Sequence, residues 1–218
     1  MAVDVKICGL STAETVDAAV AAGARWVGFA TYPKSPRHVD TPTLKALGAR
    51  VPRHVGRVVF FVDADDALLD ERLATGVVDL LQLHGAETPE RVAAIKARTA
   101  KPVMKVIKIT EAADVERGIA AYAPVADRLM FESDGGILPG GNAKAFDWTI
   151  LSGRQVPRPW LLAGGLNPDN VAEAVRVTGA KAVDVSSGVE TSRGVKSVEL
   201  IRAFISAARG AATKGEKG

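Results

Sequence analysis

Short apolar segments alternate with longer segments of helical periodicity along the chain. The apolar segments are rich in Val, Ile, Leu and Phe, and most are continuously apolar, which is typical of strands buried on both faces of a parallel sheet. The segments between them are rich in Ala, Glu, Arg and Lys and place apolar residues at helical spacing. The pattern predicts eight strands, at residues 5–9, 26–30, 57–62, 80–85, 103–109, 128–132, 160–165 and 182–188.

Polar residues and prolines mark where the predicted helices begin. Thr, Asp and Asn favour the N-cap position because their side chains accept hydrogen bonds from the free backbone N–H groups of the first turn. Pro89 and Pro168 suit the first helical position, which tolerates proline. The predicted N-caps are Thr12, Asp63, Thr88 and Asn167.

Eight strands that alternate with helices predict a parallel sheet. Each strand–helix unit takes about 27 residues, which is the size of the units in a small TIM barrel. We therefore predict an α/β fold, a single-domain (β/α)8 TIM barrel at residues 1–209, with a polar, frayed C-terminal tail at 210–218. An open doubly wound sheet is the alternative. Such a sheet usually has a glycine-rich dinucleotide turn after its first strand, and the CGLSTAE segment is not one.

Composition and charge narrow the classes of function. The 218 residues include 28 Lys and Arg against 25 Asp and Glu, so the net charge is +3, and these charges are spread along the whole chain. A nucleic-acid-binding protein concentrates positive charge on one face or in one run. We therefore expect a solvated surface and no nucleic-acid partner.

The distribution of apolar residues and cysteine predicts the compartment. No apolar run approaches the roughly 18–20 residues that cross a bilayer, and the N-terminus lacks the pattern of a signal peptide. The single cysteine cannot form an intramolecular disulfide, which fits a reducing compartment. We expect a cytoplasmic protein with no membrane partner.

Polar residues and glycines collect at the carboxyl ends of the predicted strands. In a TIM barrel the loops at this end carry the active site, so these positions are the candidate site. They are Cys8, Gly9, Arg37, His84, Gly85, Glu132, Gly164, Gly165, Ser186, Ser187 and Gly188.

The loops after the last two strands carry the pattern of a phosphate site. Glycines allow backbone N–H groups to approach an anion, and the start of a helix adds a favourable dipole. Many barrels bind phosphate at these two loops. The predicted phosphate ligands are Gly164, Gly165, Ser186, Ser187 and Gly188, and the LPGGN segment adds Gly140, Gly141 and Asn142 as pocket-lining residues.

Arg37 and His84 each allow two interpretations. Arg37 lies in a loop held by two prolines, and its guanidinium suits bidentate pairing with a carboxylate, although a surface arginine is equally compatible with the pattern. His84 lines the predicted pocket, or it is structural and donates a hydrogen bond to a loop carbonyl. No cluster of histidines and carboxylates has the spacing of metal ligands, so we expect no metal site.

Cys8 lies where the first strand meets the predicted pocket. A free cysteine is most often a small buried hydrophobic residue. Its place at a strand end, followed by glycine and a helix start, instead predicts a thiol that faces the pocket, with its pKa lowered by a nearby cation or helix dipole. Such a thiolate acts as a nucleophile or as a general base, and the residues alone do not decide between them.

Six motifs together resemble one family. They are VKICGL, GFATYPKSPRHV, LLQLHGAE, LPGGNAKAFDW, LAGGLNPDNV and DVSSGVE, and they occur in the order found in the phosphoribosylanthranilate isomerases of tryptophan biosynthesis. The resemblance implies a (β/α)8 barrel that needs no cofactor. It implies an Amadori rearrangement of N-(5-phosphoribosyl)anthranilate to 1-(2-carboxyphenylamino)-1-deoxyribulose 5-phosphate. By the same resemblance Cys8 is the general base, and Arg37 contacts the anthranilate carboxylate of a small phosphorylated substrate.

The chain departs from the family at the general acid. The family has aspartate at the end of the sixth strand, whereas this chain has Glu132 in the segment RLMFESDGG. Glu132 is the expected acid, Asp134 is the alternative, and an impaired or altered site is a third outcome. The competing functions are therefore an isomerase of another phosphorylated aminosugar, which Cys8 disfavours, and a non-catalytic phosphosugar-binding barrel. The sequence leaves open whether the protein is a monomer or a homodimer.

Overall fold

Eight parallel strands close into a barrel, in the order β1 to β8. The structure, a computed structural model, describes residues 2–133 and 147–213. The predicted TIM barrel is confirmed. The strands are β1 Asp4–Cys8, β2 Trp26–Ala30, β3 Gly56–Phe61, β4 Leu80–Leu83, β5 Val103–Ile109, β6 Arg128–Ser133, β7 Trp160–Ala163 and β8 Ala182–Val185.

The described residues also form seven α-helices outside the barrel. Helix α7 extends four residues into the predicted tail, while residues 214–218 lie outside the described ranges. A short antiparallel hairpin, β9 Glu190–Ser192 and β10 Val195–Lys196, follows β8. The helices are α1 Ala13–Ala21, α2 Thr41–Ala49, α3 Asp66–Leu73, α4 Pro89–Thr99, α5 Ala112–Tyr122, α6 Val171–Thr178 and α7 Val198–Thr213.

Two of the four predicted N-caps are confirmed. The Thr12 and Thr88 side chains accept hydrogen bonds from backbone N–H groups in the first turns of α1 and α4. Pro89, directly after Thr88, opens α4 as predicted.

The other two predicted N-caps are wrong. Helix α3 begins after Asp65, whereas Asp63 adopts a positive φ of 47° and accepts a hydrogen bond from the backbone of Ala86. Helix α6 begins after Asn170, because Asn167 uses its side chain to form a turn before the helix, and Pro168 lies in that turn. In both cases another hydrogen bond occupies the side-chain oxygen that would form the cap: one to a distant loop for Asp63 and one within a local turn for Asn167.

The barrel interior is mostly apolar, with a buried ion pair between β1 and β8. Lys6 is fully buried, and its Nζ lies 2.7 Å from Oδ1 of Asp184. Lys6 is in register with both Trp26 and Asp184, so the pair lies on the same interior face as Trp26. The apolar interior residues are Trp26, Val58, Leu80, Met104, Val106, Met130, Leu161, Ala163 and Ala182.

Candidate active site

Four predicted site residues come together at the carboxyl end of the barrel. Side chains two residues apart on a strand share a face, and each of the four follows an interior residue by two positions. Strands β4, β7 and β8 end earlier than predicted, just before their polar residues. The four residues are Cys8, His84, Glu132 and Ser186.

Cys8 is held among cations but is also buried. Its backbone carbonyl accepts a hydrogen bond from Ser186 Oγ at 3.3 Å, which fixes the end of β1 against the loop after β8. Burial raises the pKa of the Cys8 thiol, although the neighbouring Lys6 acts in the opposite direction. The expectation of a lowered pKa is therefore wrong, because the cost of desolvating the thiolate outweighs the effect of the neighbouring cations.

The Arg37 side chain packs over Gly9 at the carboxyl end of the barrel. Gly9 has a φ of +73°, and a Cβ there would lie 2.5 Å from Cδ of Arg37, so glycine is required both by conformation and by space. One edge of the Arg37 guanidinium is occupied by a carboxylate. Its Nε and Nη2 donate to the two carboxylate oxygens of Glu190 at 2.6 and 2.7 Å, a bidentate pair.

Glu190 lies on the β9–β10 hairpin and links Arg37 to Lys196, which lies on the same hairpin. The Nζ of Lys196 donates to Glu190 at 2.7 Å and to the backbone carbonyl of Ser186 at 2.8 Å. The backbone N–H of Gly194 also donates to Glu190, at 3.0 Å. Burial by itself raises the pKa of Glu190, but the hydrogen bonds from Arg37 and Lys196 lower it to about 2. Sequence reasoning missed both residues, although Glu190 closes the DVSSGVE motif.

The depressed pKa of Glu190 predicts how stability depends on acid. A carboxylate whose pKa is lower in the folded than in the unfolded state stabilises the fold above its ordinary pKa of 4.5 and loses this contribution as the pH falls towards 2. We expect the free energies of unfolding of wild type and Glu190→Gln to converge over this range, in urea titrations at a series of pH values. A constant difference between the two proteins would contradict the assignment.

His84 and Glu132 form a pair across the mouth. The Nε2 of His84 lies 2.7 Å from Oε2 of Glu132, and both side chains are partly exposed. The imidazole also packs edge-on against Phe60, with ring centroids 4.9 Å apart. The structure therefore pairs His84 with the predicted acid rather than with a loop carbonyl.

The loops after β7 and β8 pack closely against each other. Gly164 and Gly165 have φ values of +91° and +67°, which favour glycine, and a Cβ on Gly188 would lie 1.8 Å from the carbonyl oxygen of Leu166. Ser187 begins a short 3-10 turn at the end of β8. The five predicted phosphate ligands are therefore adjacent, and none of them is buried at this end of the barrel.

Four predicted residues lie outside the described residues: Asp134, Gly140, Gly141 and Asn142. Within residues 2–133 and 147–213, no group of three or more histidines, cysteines and carboxylates could hold a metal ion. No helix in the part of the chain that the structure describes is long and apolar enough to cross a membrane.

Comparison with known proteins gives one consistent family. Residues 5–207 match the family model described as N-(5'-phosphoribosyl)anthranilate (PRA) isomerase. The N-(5'-phosphoribosyl)anthranilate isomerase of Paracoccus denitrificans is 54% identical over 211 residues, which cover 95% of this chain and 98% of that protein.

Solved structures agree with the sequence comparison. Phosphoribosylanthranilate isomerase from Thermotoga maritima is similar with a TM-score of 0.86 and 35% identity, covering 95% of this chain and 99% of that one. A phosphoribosylanthranilate isomerase solved in complex with reduced 1-(o-carboxyphenylamino)-1-deoxyribulose 5-phosphate is similar with a TM-score of 0.81 and 33% identity, with the same coverage.

Proposed function

This chain belongs to the family of N-(5'-phosphoribosyl)anthranilate isomerases, and from that premise we propose how its site residues divide the reaction. It is an isomerase of tryptophan biosynthesis that converts N-(5-phosphoribosyl)anthranilate to 1-(2-carboxyphenylamino)-1-deoxyribulose 5-phosphate. The observation that carries the division of roles is the meeting of Cys8, Arg37, Glu132 and the β7–β8 loops at one end of the barrel.

The two ends of the substrate are held by different groups. The phosphate binds to the glycines and serines of the loops after β7 and β8, where backbone N–H groups and hydroxyls are adjacent. The anthranilate carboxylate binds Arg37, whose fork suits a planar carboxylate. Holding both ends fixes the ribose between the acid and the base, so that binding is converted into orientation.

Glu132 and Cys8 move the protons. Glu132 donates a proton to the ring oxygen, the C1'–O bond breaks with its electron pair going to oxygen, and a Schiff base forms. Cys8, in the thiolate form that the neighbouring Lys6 favours, then removes the C2' proton. The resulting enolamine takes up a proton at C1' and loses the proton of the C2' hydroxyl, which gives the ketose. Each proton transfer of this kind contributes about 10² to 10⁴ in rate.

His84 holds the carboxyl group of Glu132 in place for this step. Its Nε2 lies 2.7 Å from Oε2 of Glu132 at this end of the barrel, within hydrogen-bond distance. Glutamate is one methylene longer than the family's aspartate, and a displacement of about 1 Å can cost on the order of 10² in rate. The contact with His84 restrains the longer side chain.

The direct test is the loss of anthranilate-type fluorescence as freshly generated phosphoribosylanthranilate is consumed by the purified protein. Robust turnover supports the division of roles. A protein that binds the reduced product analogue but shows no turnover would instead support the second candidate, a phosphosugar-binding barrel. The replacement of the family's aspartate by Glu132 favours that candidate. Restoration of turnover in Glu132→Asp would show that this replacement alone had abolished catalysis.

Replacing Arg37 by alanine is expected to weaken binding selectively. Hydrogen bonds to charged groups contribute about 1.5–3 kcal/mol, so affinity for the reduced product analogue should fall about tenfold to a hundredfold. Ribose 5-phosphate lacks the carboxylate, and its affinity should change little. Titration calorimetry with both ligands measures the two effects, and equal losses would remove Arg37 from the carboxylate site.

The remaining features follow from the same proposal. The ligand is a small phosphorylated molecule, the rearrangement needs no cofactor, and no nucleic acid or membrane takes part. We place the reaction in the cytoplasm, and the protein acts as a monomer or a homodimer.

A further inference from the structure

We propose that Glu190 is a positioning residue that orients Arg37 towards the substrate carboxylate. This inference rests on the proposed function, because it takes Arg37 as the carboxylate-binding group. Glu190 itself does not touch the reacting atoms.

Glu190 engages one particular edge of the guanidinium. Arginine presents five N–H donors in a planar fork. The carboxylate of Glu190 takes Nε–H and one Nη2–H of Arg37, at 2.6 and 2.7 Å. The outer edge, made by Nη1 and the second hydrogen of Nη2, is the edge that a second carboxylate can bind bidentately. Glu190 thus fixes the plane of the fork before substrate arrives.

The hairpin that carries Glu190 also contacts the loop that carries Arg37. Gly194, in the turn of the hairpin, has a φ of +88°, and a Cβ there would lie 2.9 Å from the carbonyl oxygen of Pro36. Side-chain pairing and backbone packing therefore act together on the residues next to Arg37. Glu190 and Arg37 are 153 residues apart in the chain, so the tertiary fold sets this geometry.

Lys196 joins this arrangement to the phosphate side of the site. Its side chain is almost completely buried, and its Nζ contacts Glu190, the carbonyl of Ser186 and, at 3.2 Å, Ser186 Oγ. The same Ser186 Oγ donates to the carbonyl of Cys8. A single carboxylate therefore connects the predicted carboxylate site, the predicted phosphate loop and the strand end that carries the base.

The summed charge of Arg37, Glu190 and Lys196 favours an anionic ligand. Arg37 and Lys196 contribute two positive charges and Glu190 one negative charge, so the three side chains together remain cationic. Glu190 pairs with both cations but carries only one negative charge, so one positive charge remains, and Arg37 is the more exposed of the two cations. A carboxylate of the substrate therefore meets a cation that is already oriented, which lowers the entropic cost of binding.

The test compares two ligands on two variants. Glu190→Gln keeps the shape of the side chain but loses its charge, and we expect it to bind the reduced product analogue at least about tenfold more weakly. Affinity for ribose 5-phosphate should change less than about threefold. Glu190→Asp keeps the charge and should recover part of the difference, which also covers the case in which the glutamine variant does not fold. Equal losses for both ligands would overturn the inference in favour of a purely structural pair.

A double-mutant cycle decides whether Glu190 acts through Arg37. In an Arg37→Ala background, Glu190→Gln should cause no further selective loss for the carboxylate-bearing ligand, because the group that it orients is gone. A further loss of the same size would overturn the inference. For the steady-state parameters, Glu190→Gln should raise KM more than it lowers kcat.

A matched control lies at the other end of the barrel. Arg57 and Asp79 form a bidentate pair at 2.6 and 2.7 Å next to the amino end of β4, far from the candidate site. Asp79→Asn should leave both affinities unchanged. If wild type turns over substrate while Glu190→Gln binds both ligands normally, the inference fails alone. If wild type does not bind the analogue, the proposed function fails and the inference fails with it.

Discussion

Replacing Cys8 by serine is expected to lower kcat by at least about 10² while affinity for the reduced product analogue stays close to that of wild type. A serine alkoxide is far harder to form than a thiolate, so the hydroxyl is a poor base at neutral pH. The change is small in volume, so the fold should tolerate it. The fluorescence assay gives kcat, and calorimetry gives the affinity; near-normal turnover would remove Cys8 as the base.

The single cysteine provides an independent check. Because the chain has one cysteine, alkylation by a thiol reagent reports on Cys8 alone. Burial raises its pKa above the ordinary 9.0, so labelling of the free protein should be slow at neutral pH and should accelerate with rising pH beyond the range of an exposed cysteine. Protection by the bound product analogue would place the thiol inside the ligand pocket.

Replacing Glu132 by glutamine is expected to lower kcat by about 10² to 10⁴, because the amide cannot donate the proton that opens the ring. The glutamine keeps the length of the side chain and can still contact His84, so ligand affinity should change little. Glu132→Asp, which restores the family's residue, should remain active. Single-turnover measurements with saturating enzyme separate this chemical step from product release.

Asp134→Asn is the matched control for the acid. Asp134 follows β6 directly in the sequence, but only Glu132 lies among the described residues, where it contacts His84. A normal rate for Asp134→Asn beside a large loss for Glu132→Gln assigns the acid to Glu132. The reverse result would assign it to Asp134 and leave Glu132 as a pocket carboxylate.

The strands could be predicted from sequence because most of them are continuous apolar runs, and burial on both faces imposes that pattern locally. The helix starts were harder to predict. Asp63 and Asn167 have the right side chains for a cap, but a second candidate follows each of them, and the N-cap positions are Asp65 and Asn170. Local preference does not decide between two neighbouring candidates when a turn can use either one.

The candidate site was predictable where its residues sit at strand ends and not where they pair across the chain. Cys8, His84 and Glu132 follow directly from the barrel pattern. The pairing of Arg37 with Glu190 does not, because no periodicity links residues so distant in sequence. The predicted lowering of the Cys8 pKa was wrong for a related reason. The sequence indicates that cations lie nearby, but it does not show how completely the barrel excludes water from the thiol.

The buried pair between Lys6 and Asp184 has a consequence for how the chain folds. The two residues are 178 positions apart and join the first strand to the last. A growing or truncated chain that lacks β8 must keep Lys6 either in water or buried without its carboxylate, and removal of one partner of a buried pair costs about 3–5 kcal/mol. Strand β1 therefore gains its full stability only after β8 has paired with it. Synthesis can advance strand by strand, but the closed barrel forms as a single late event.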